Sequence, residues 1–343
     1  MSKKVLALAL VLVMILSFAG CKKDEVVKQD DTATKTEGVQ EENLLPEISE
    51  FFSTYVNTDA RPVAIMVDND NEDARPQAGL DEAYLVYEMP VEGGSTRFMA
   101  LFRNAKTEKI GPVRSSRHYF LDFVKENDAI YTHFGWSPKA TTDITALKVN
   151  NVNGIIASDA GVFWRERKHK NDWHSAYTNI EKIEKLAADK KYNTKTETAN
   201  GIKYSKEYIN LPAENVAKEI VLPYAGFYKT GYKYNEEKGV YEKQINNAPH
   251  KMQNGNVVEF KNVIVELIAD TSLGDGSARR EIITTGTGKG YYFTNGAYEE
   301  ITWSKASRTA PTVYKKANGE ELLVNPGHTM VNIISPAIGV NIK

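Results

Sequence analysis

The chain has 343 residues, of which 41% are hydrophobic and 26% charged, and its formal net charge is −2. This composition suits a folded protein with a real core and excludes a wholly disordered or multi-span membrane chain. The near-neutral balance argues against a nucleic-acid binder, and the single cysteine excludes a disulfide framework or a cysteine-rich zinc site.

Lys3 and Lys4 precede an apolar run from Val5 to Leu16, and Ser17-Phe18-Ala19-Gly20 leads directly into Cys21. The layout is that of a secretory signal, and the run falls short of the roughly 20 residues that cross a hydrocarbon core. Small residues just before the cysteine resemble the lipobox of bacterial lipoproteins, with Phe18 where leucine is usual. The resemblance implies cleavage of residues 1–20, diacylglycerol on the Cys21 sulfur, acylation of the new terminus and a place on the outer face of the cytoplasmic membrane. Removal of residues 1–20 takes away two lysines and no acid, leaving 41 basic against 45 acidic residues, so lipid and not charge must provide the anchor. Residues 21–58 are predicted to be a lipidated flexible tether, because Lys22 to Asn43 has almost no large apolar residue to bury. Leu44, Leu45, Ile48, Phe51 and Phe52 mark a boundary segment able to dock on the first domain.

An α/β-type layered domain is predicted over 59–205. Residues 62–69, 83–89, 97–103 and 129–134 read as strands. Gly111-Pro112 opens a helix with Pro112 at its first position and Val113, Phe120, Leu121 and Val124 at helical spacing, and Ser137-Pro138 opens another. A third helix is expected from Asn179 to about Lys191, followed by a polar linker or surface excursion to Glu207. Residues 206–343 are predicted to be a β-rich antiparallel domain. Tyrosine-rich alternation, a strand over 257–269 and turn pairs at Asn254-Gly255, Asn295-Gly296 and Asn318-Gly319 spell hairpins. The fold class expected is therefore α+β.

Special residues are densest between Arg61 and Arg117: Arg75-Pro76-Gln77, Gly79-Leu80, Glu88, Glu92-Gly93-Gly94-Ser95-Thr96-Arg97 and Gly111-Pro112-Val113-Arg114-Ser115-Ser116-Arg117. These strings, with Gly288-Lys289-Gly290-Tyr291-Tyr292-Phe293 and Trp303, resemble the YerB-like lipoproteins of Gram-positive bacteria. The resemblance spans almost everything from Arg61 onward and implies a membrane lipoprotein of two domains, without assigning catalytic residues.

With Pro112 at the first helical position, Arg114, Ser115 and Ser116 would occupy a first turn, where free N–H groups and the macrodipole favour an anion. Arg114 and Arg117 would share a face and, with Arg97, could grip a phosphate, sulfate or carboxylate. The competing reading pairs these arginines with Asp68, Glu88 or Glu92 as internal salt bridges. The order of strand, arginine-bearing helix start and strand is also loosely similar to the LytR-CpsA-Psr glycopolymer transferases. That likeness implies an envelope phosphotransferase whose arginines hold a lipid-linked pyrophosphate and whose base is an acid.

Other strings weigh less. Asp68 to Asp73 lacks the glycine and glutamate of a calcium loop, so a solvated loop is expected. His133 at a strand end is either a base or a hydrogen-bonded structural residue, and His169 and His174 lack a third metal ligand. Gly286 to Gly290 is no P-loop, and Ser115 and Ser116 lack a nucleophile-elbow pattern. The tyrosines of the second domain serve either as strand core or as a glycan-stacking platform. The expectation is an extracytoplasmic binding or adaptor module at the cell envelope for a cell-wall or other anionic ligand, with no metal, cofactor or nucleic acid and no assigned chemistry. A solute-import receptor fits less well, because its two lobes should resemble each other.

Overall fold

The computed structural model describes residues 44–196 and 201–343. The signal segment 1–20, the lipid attachment point Cys21 and the tether from 22 to 43 lie outside the described residues. The end of the predicted tether is not coil. α1 (Pro46–Phe51) runs into a π-turn at Phe52–Val56, and Ile48, Phe51 and Phe52 are buried. Phe51 meets the rings of Tyr55 and Tyr204 at 5.3 and 4.9 Å, so the boundary residues order the segment through aromatic packing.

The first half supplies β1 (Val63–Asn69), β2 (Leu85–Pro90), β3 (Thr96–Phe102), β4 (Ile130–His133), β5 (Asn151–Asn153) and a short pair, β6 (Trp164–Arg165) with β7 (Ala176–Tyr177). Its helices are α2 (Phe120–Glu126), α3 (Pro138–Ala146) and α4 (Ile180–Asp189). Caps fall where the sequence placed them: Ser137 Oγ accepts from Ala140 N, and Asn179 Oδ1 from Lys182 N. The second half supplies β8 (Glu219–Ala225), β9 (Tyr228–Asn235), β10 (Val240–Ile245), β11 (Ala248–Pro249), β12 (Glu259–Phe260) and β13 (Asn262–Leu267). A hairpin of β14 (Asp270–Ser272) and β15 (Arg280–Ile282) comes next. The chain then runs through β16 (Gly286–Thr294), β17 (Ala297–Lys305), β18 (Val313–Lys316), β19 (Thr329–Ile334) and β20 (Asn341–Ile342).

The class is α+β, and the two sequence halves share one sheet. Its order is β18-β17-β16-β13-β19-β2-β3-β1-β4-β5. The join is the parallel pairing of β19 with β2, Thr329 opposite Leu85 through Asn332 opposite Glu88. β13 also pairs in parallel with β19, whereas β16, β17 and β18 pair antiparallel, the β16–β17 hairpin turning at the Asn295-Gly296 pair read from the sequence. Because β3 runs against β1 and β2, the strands β13, β19, β2, β1, β4 and β5 all point one way.

Alternation along the central strands sends side chains to two cores. Ile65, Val67, Phe98, Ala100 and Val86 face the second sheet, β11-β10-β9-β8-β20, through Ile220, Leu222, Tyr232 and Tyr241. Met66, Tyr87, Met99 and Tyr131 face α2 through Phe120, Phe123 and Val124. Each fully buried aliphatic side chain contributes about 1.5–3 kcal/mol. Most tyrosines of the second half, Tyr228, Tyr232 and Tyr241 among them, are thus core and not an exposed glycan platform.

The segment Gly111–Arg117 departs from expectation, because helix begins only at Phe120. Its backbone is claimed by long-range partners instead: Val113 N donates to Ala176 O, Arg114 N to Met66 O, and Ser116 N to Gly135 O, at 2.6, 3.0 and 2.9 Å. Gly111 has φ +147°, and a Cβ there would lie 2.7 Å from the Ala176 carbonyl oxygen. Only glycine fits this crossing.

Candidate functional site

The carboxyl ends of the six like-directed strands meet at one edge of the sheet, where open sheets hold their ligands. There the loops after β1 and β2, the extended segment before α2 and the β14–β15 turn enclose an open recess of about 490 Å³. Arg97, Arg114, Arg117 and Arg279 line it, with Asp70 and Glu92. The three arginines expected to act together do converge, although β3 carries Arg97, and an extended crossing segment, not a helix start, carries Arg114 and Arg117.

Their partners differ. Arg117 makes a forked pair with Glu92, at 2.6 and 2.8 Å, and gives Nη1 to the Ser116 carbonyl. Burial of Glu92 disfavours its charge, but Arg117 more than offsets this and holds its carboxyl below the usual value. Arg114 places Nε 3.1 Å from Asp68 Oδ2, and the same oxygen lies 2.6 Å from His174 Nδ1. Asp68 is fully buried, which works against its charge, yet the His174 hydrogen bond and the nearby Arg97 and Arg114 charges lower its pKa. The same hydrogen bond raises that of His174.

Arg97 is different. It is 5% exposed and lies directly across from Asp68 in the β1–β3 register, yet no carboxylate comes within ion-pair distance of it among the described residues. Its hydrogen bond is from Nη1 to the Ser115 carbonyl, at 2.7 Å, and its buried Nε has no partner. Burial first, and then the charges of Arg117 and Arg114, depress its pKa to about 10, against the opposing attraction of Asp68 and Glu92, which lie beyond ion-pair distance. A cation held in this way is at odds with the rule that buried charges are paired.

The remaining candidates fall elsewhere. Ser115 and Ser116 lend the site their carbonyls and not their hydroxyls: Ser115 Oγ donates to Phe134 O, and Ser116 Oγ accepts from Tyr131. Glu88, named as an arginine partner, lies away from the recess and pairs instead with Lys243 at 2.9 Å, both side chains fully buried. Thr96, Tyr228 and Thr230 hydroxyls complete its shell. His133 is buried, bonded to Gly135 O at 2.8 Å and kept neutral, its pKa lowered to about 4 by burial, which fits a structural residue. Of the string Asp68 to Asp73, expected to be a solvated loop, Asp68 and Asn69 are instead the buried end of β1, and only the remainder leads into a single turn, Glu72–Ala74, capped by Asn71 accepting from Asp73 N. No group of side chains suited to a metal ion occurs among the described residues. Sequence reasoning missed Arg279 and the His174–Asp68 contact; Arg279 rides on a glycine-punctuated turn, the one signal that it sits at a loop tip.

The fold and recess thus define a class: an α+β protein whose two sequence halves complete one mixed sheet and carry an arginine-lined crevice at its carboxyl edge. Residues 53–193 match the N-terminal domain, and residues 220–331 the C-terminal domain, of a protein family of unknown function, DUF3048. YerB of Bacillus subtilis, a protein whose name describes it as a lipoprotein, is 32% identical over 282 residues, covering 81% of this chain and 82% of the relative. The crystal structure of that protein superposes with a TM-score of 0.74 at 30% identity, covering 83% of this chain and 94% of the other. The chain belongs to the DUF3048 family. Among the described residues no helix is long and apolar enough to cross a membrane.

Proposed function

We propose that this protein is a lipid-anchored, extracytoplasmic binding module of the cell envelope that holds an anionic ligand in the recess formed by Arg97, Arg114, Arg117 and Arg279. The pattern leading into Cys21 and the name of the Bacillus subtilis relative support the anchor and the location. One observation carries the ligand class: Arg97 is buried at the recess with no carboxylate of its own. Arg117 and Arg114 do have carboxylates, and these salt bridges fix the geometry of the wall. A phosphate entering the recess would give Arg97 a counter-charge in direct contact through charge-assisted hydrogen bonds.

The test is thermal unfolding in phosphate-free buffer against added inorganic phosphate, pyrophosphate and sulfate. A ligand present at about 100 times its Kd adds about 2.7 kcal/mol of stability. That gain should vanish in Arg97→Met. An unchanged melting temperature with every anion, or an equal rise in the variant, would refute the reading.

A further inference from the structure

The recess continues past its arginines. A second cavity of about 450 Å³ lies beside it, lined by Tyr224, Asp270, Ser272, Arg280, Ser335 and Ile338 among others. The two share Val91, Gly93 and Ala278 as lining residues, so they meet along the turn between β2 and β3 and the end of the β14–β15 turn. At that junction Gly93 has φ +72°, and a Cβ built on it would meet nothing within 4 Å. The boundary between the cavities is therefore bare backbone facing open space, and each cavity is within the size range of small-molecule sites.

The chemistry of the two cavities differs. The first is cationic. The second combines apolar surface from Val91, Tyr224 and Ile338 with groups that donate and accept hydrogen bonds. Arg280 Nε engages Asp270 Oδ1 at 2.7 Å, which leaves Oδ2 free of this pair. Ser272 and Ser335 Oγ each accept from a backbone N–H, and their hydroxyl hydrogens have no acceptor among the described residues. A pyranose ring presents the complement, C–H faces and hydroxyl edges.

We propose that the two cavities form one groove for a glycosyl phosphate. The phosphate sits on Arg97, Arg114 and Arg117, and the sugar ring crosses Gly93 into the second cavity. This inference rests on the anion-binding reading and specifies its ligand.

The experiment is calorimetric titration of the protein with α-D-glucose 1-phosphate, inorganic phosphate and glucose, repeated on Ser272→Gln and Ser335→Gln. Both serines line the second cavity and not the arginine recess, and neither is buried, so both variants fill the sugar's place without a core change and without touching the phosphate's. Glucose 1-phosphate should bind the unaltered protein at least about tenfold more tightly than inorganic phosphate, and that ratio should fall to about one in either folded variant while phosphate binding persists. Equal affinity for the sugar phosphate and for phosphate in the unaltered protein would overturn the groove and leave the anion site standing. Failure of both to bind would remove the anion site as well. A ratio unchanged in both variants, or glucose alone binding as tightly as its phosphate, would also overturn the groove.

Discussion

Two buried cations, Arg97 on β3 of the large sheet and Lys243 on β10 of the second sheet, should respond unequally to the same substitution. Lys243 is fully buried with Nζ 2.9 Å from Glu88 Oε2 and 3.0 Å from Thr230 Oγ1. Lys243→Met leaves the Glu88 charge without its counter-ion, a loss of about 3–5 kcal/mol, with the lower end expected because three hydroxyls still donate to that carboxylate. Arg97→Met removes a cation with no carboxylate in ion-pair distance, relieves the repulsion from Arg114 and Arg117 while losing the longer-range attraction of Asp68 and Glu92, and gives up one hydrogen bond to a carbonyl, worth about 1.5–3 kcal/mol. The gain in apolar burial and the lifted desolvation offset that bond, so Arg97→Met should stay within about 1 kcal/mol of the unaltered protein. Urea unfolding followed by fluorescence of the four tryptophans, in phosphate-free buffer, gives both values by linear extrapolation. If Arg97→Met costs as much as Lys243→Met, the arginine is a structural member of the fold and the anion site loses its ground.

The Asp68–His174 contact predicts a pH dependence. The raised pKa of His174 contributes stability that is complete below its unfolded value of about 6.5 and is lost as pH rises through the folded value. The lowered pKa of Asp68 contributes stability present above about 3.9 and lost as pH falls through its folded value. Melting temperature against pH should therefore decline on the alkaline side, and His174→Gln should flatten that limb; identical curves would contradict the assignment. Gly111→Ala places a methyl group against the Ala176 carbonyl and should cost about 1–3 kcal/mol in denaturant melts. Phe51→Ala should cost about 3 kcal/mol and open residues 44–56 to proteolysis, whereas unchanged cleavage would show that the segment does not depend on its aromatic contacts.

What the sequence reveals here divides by distance along the chain. The strands at 62–69, 83–89, 97–103 and 129–134, the two capped helices and the Asn295-Gly296 hairpin are written in local periodicity and turn chemistry, and each is present. The helix expected from Pro112 starts only at Phe120 because backbone partners at Met66, Gly135 and Ala176 outcompete local hydrogen bonds before it, and no window around Pro112 contains them. Glu88 is a reasonable partner for the arginines on local grounds, but the fold brings Lys243 to it from 155 residues away. His174 reaches Asp68 across 106 residues in the same way. The arginines are identifiable because they cluster in sequence, whereas Arg279 arrives from the other half of the chain.

The seam between β2 and β19 also governs what a partial chain is worth. A ribosome delivers Leu85–Pro90 early and Thr329–Ile334 almost last, so the growing polypeptide carries a bare strand edge through most of its synthesis. A premature stop anywhere before Thr329 would excise the middle of the sheet instead of trimming its border. The boundary between the two family segments is thus a division of sequence and not a place where the protein can be cut into self-sufficient pieces.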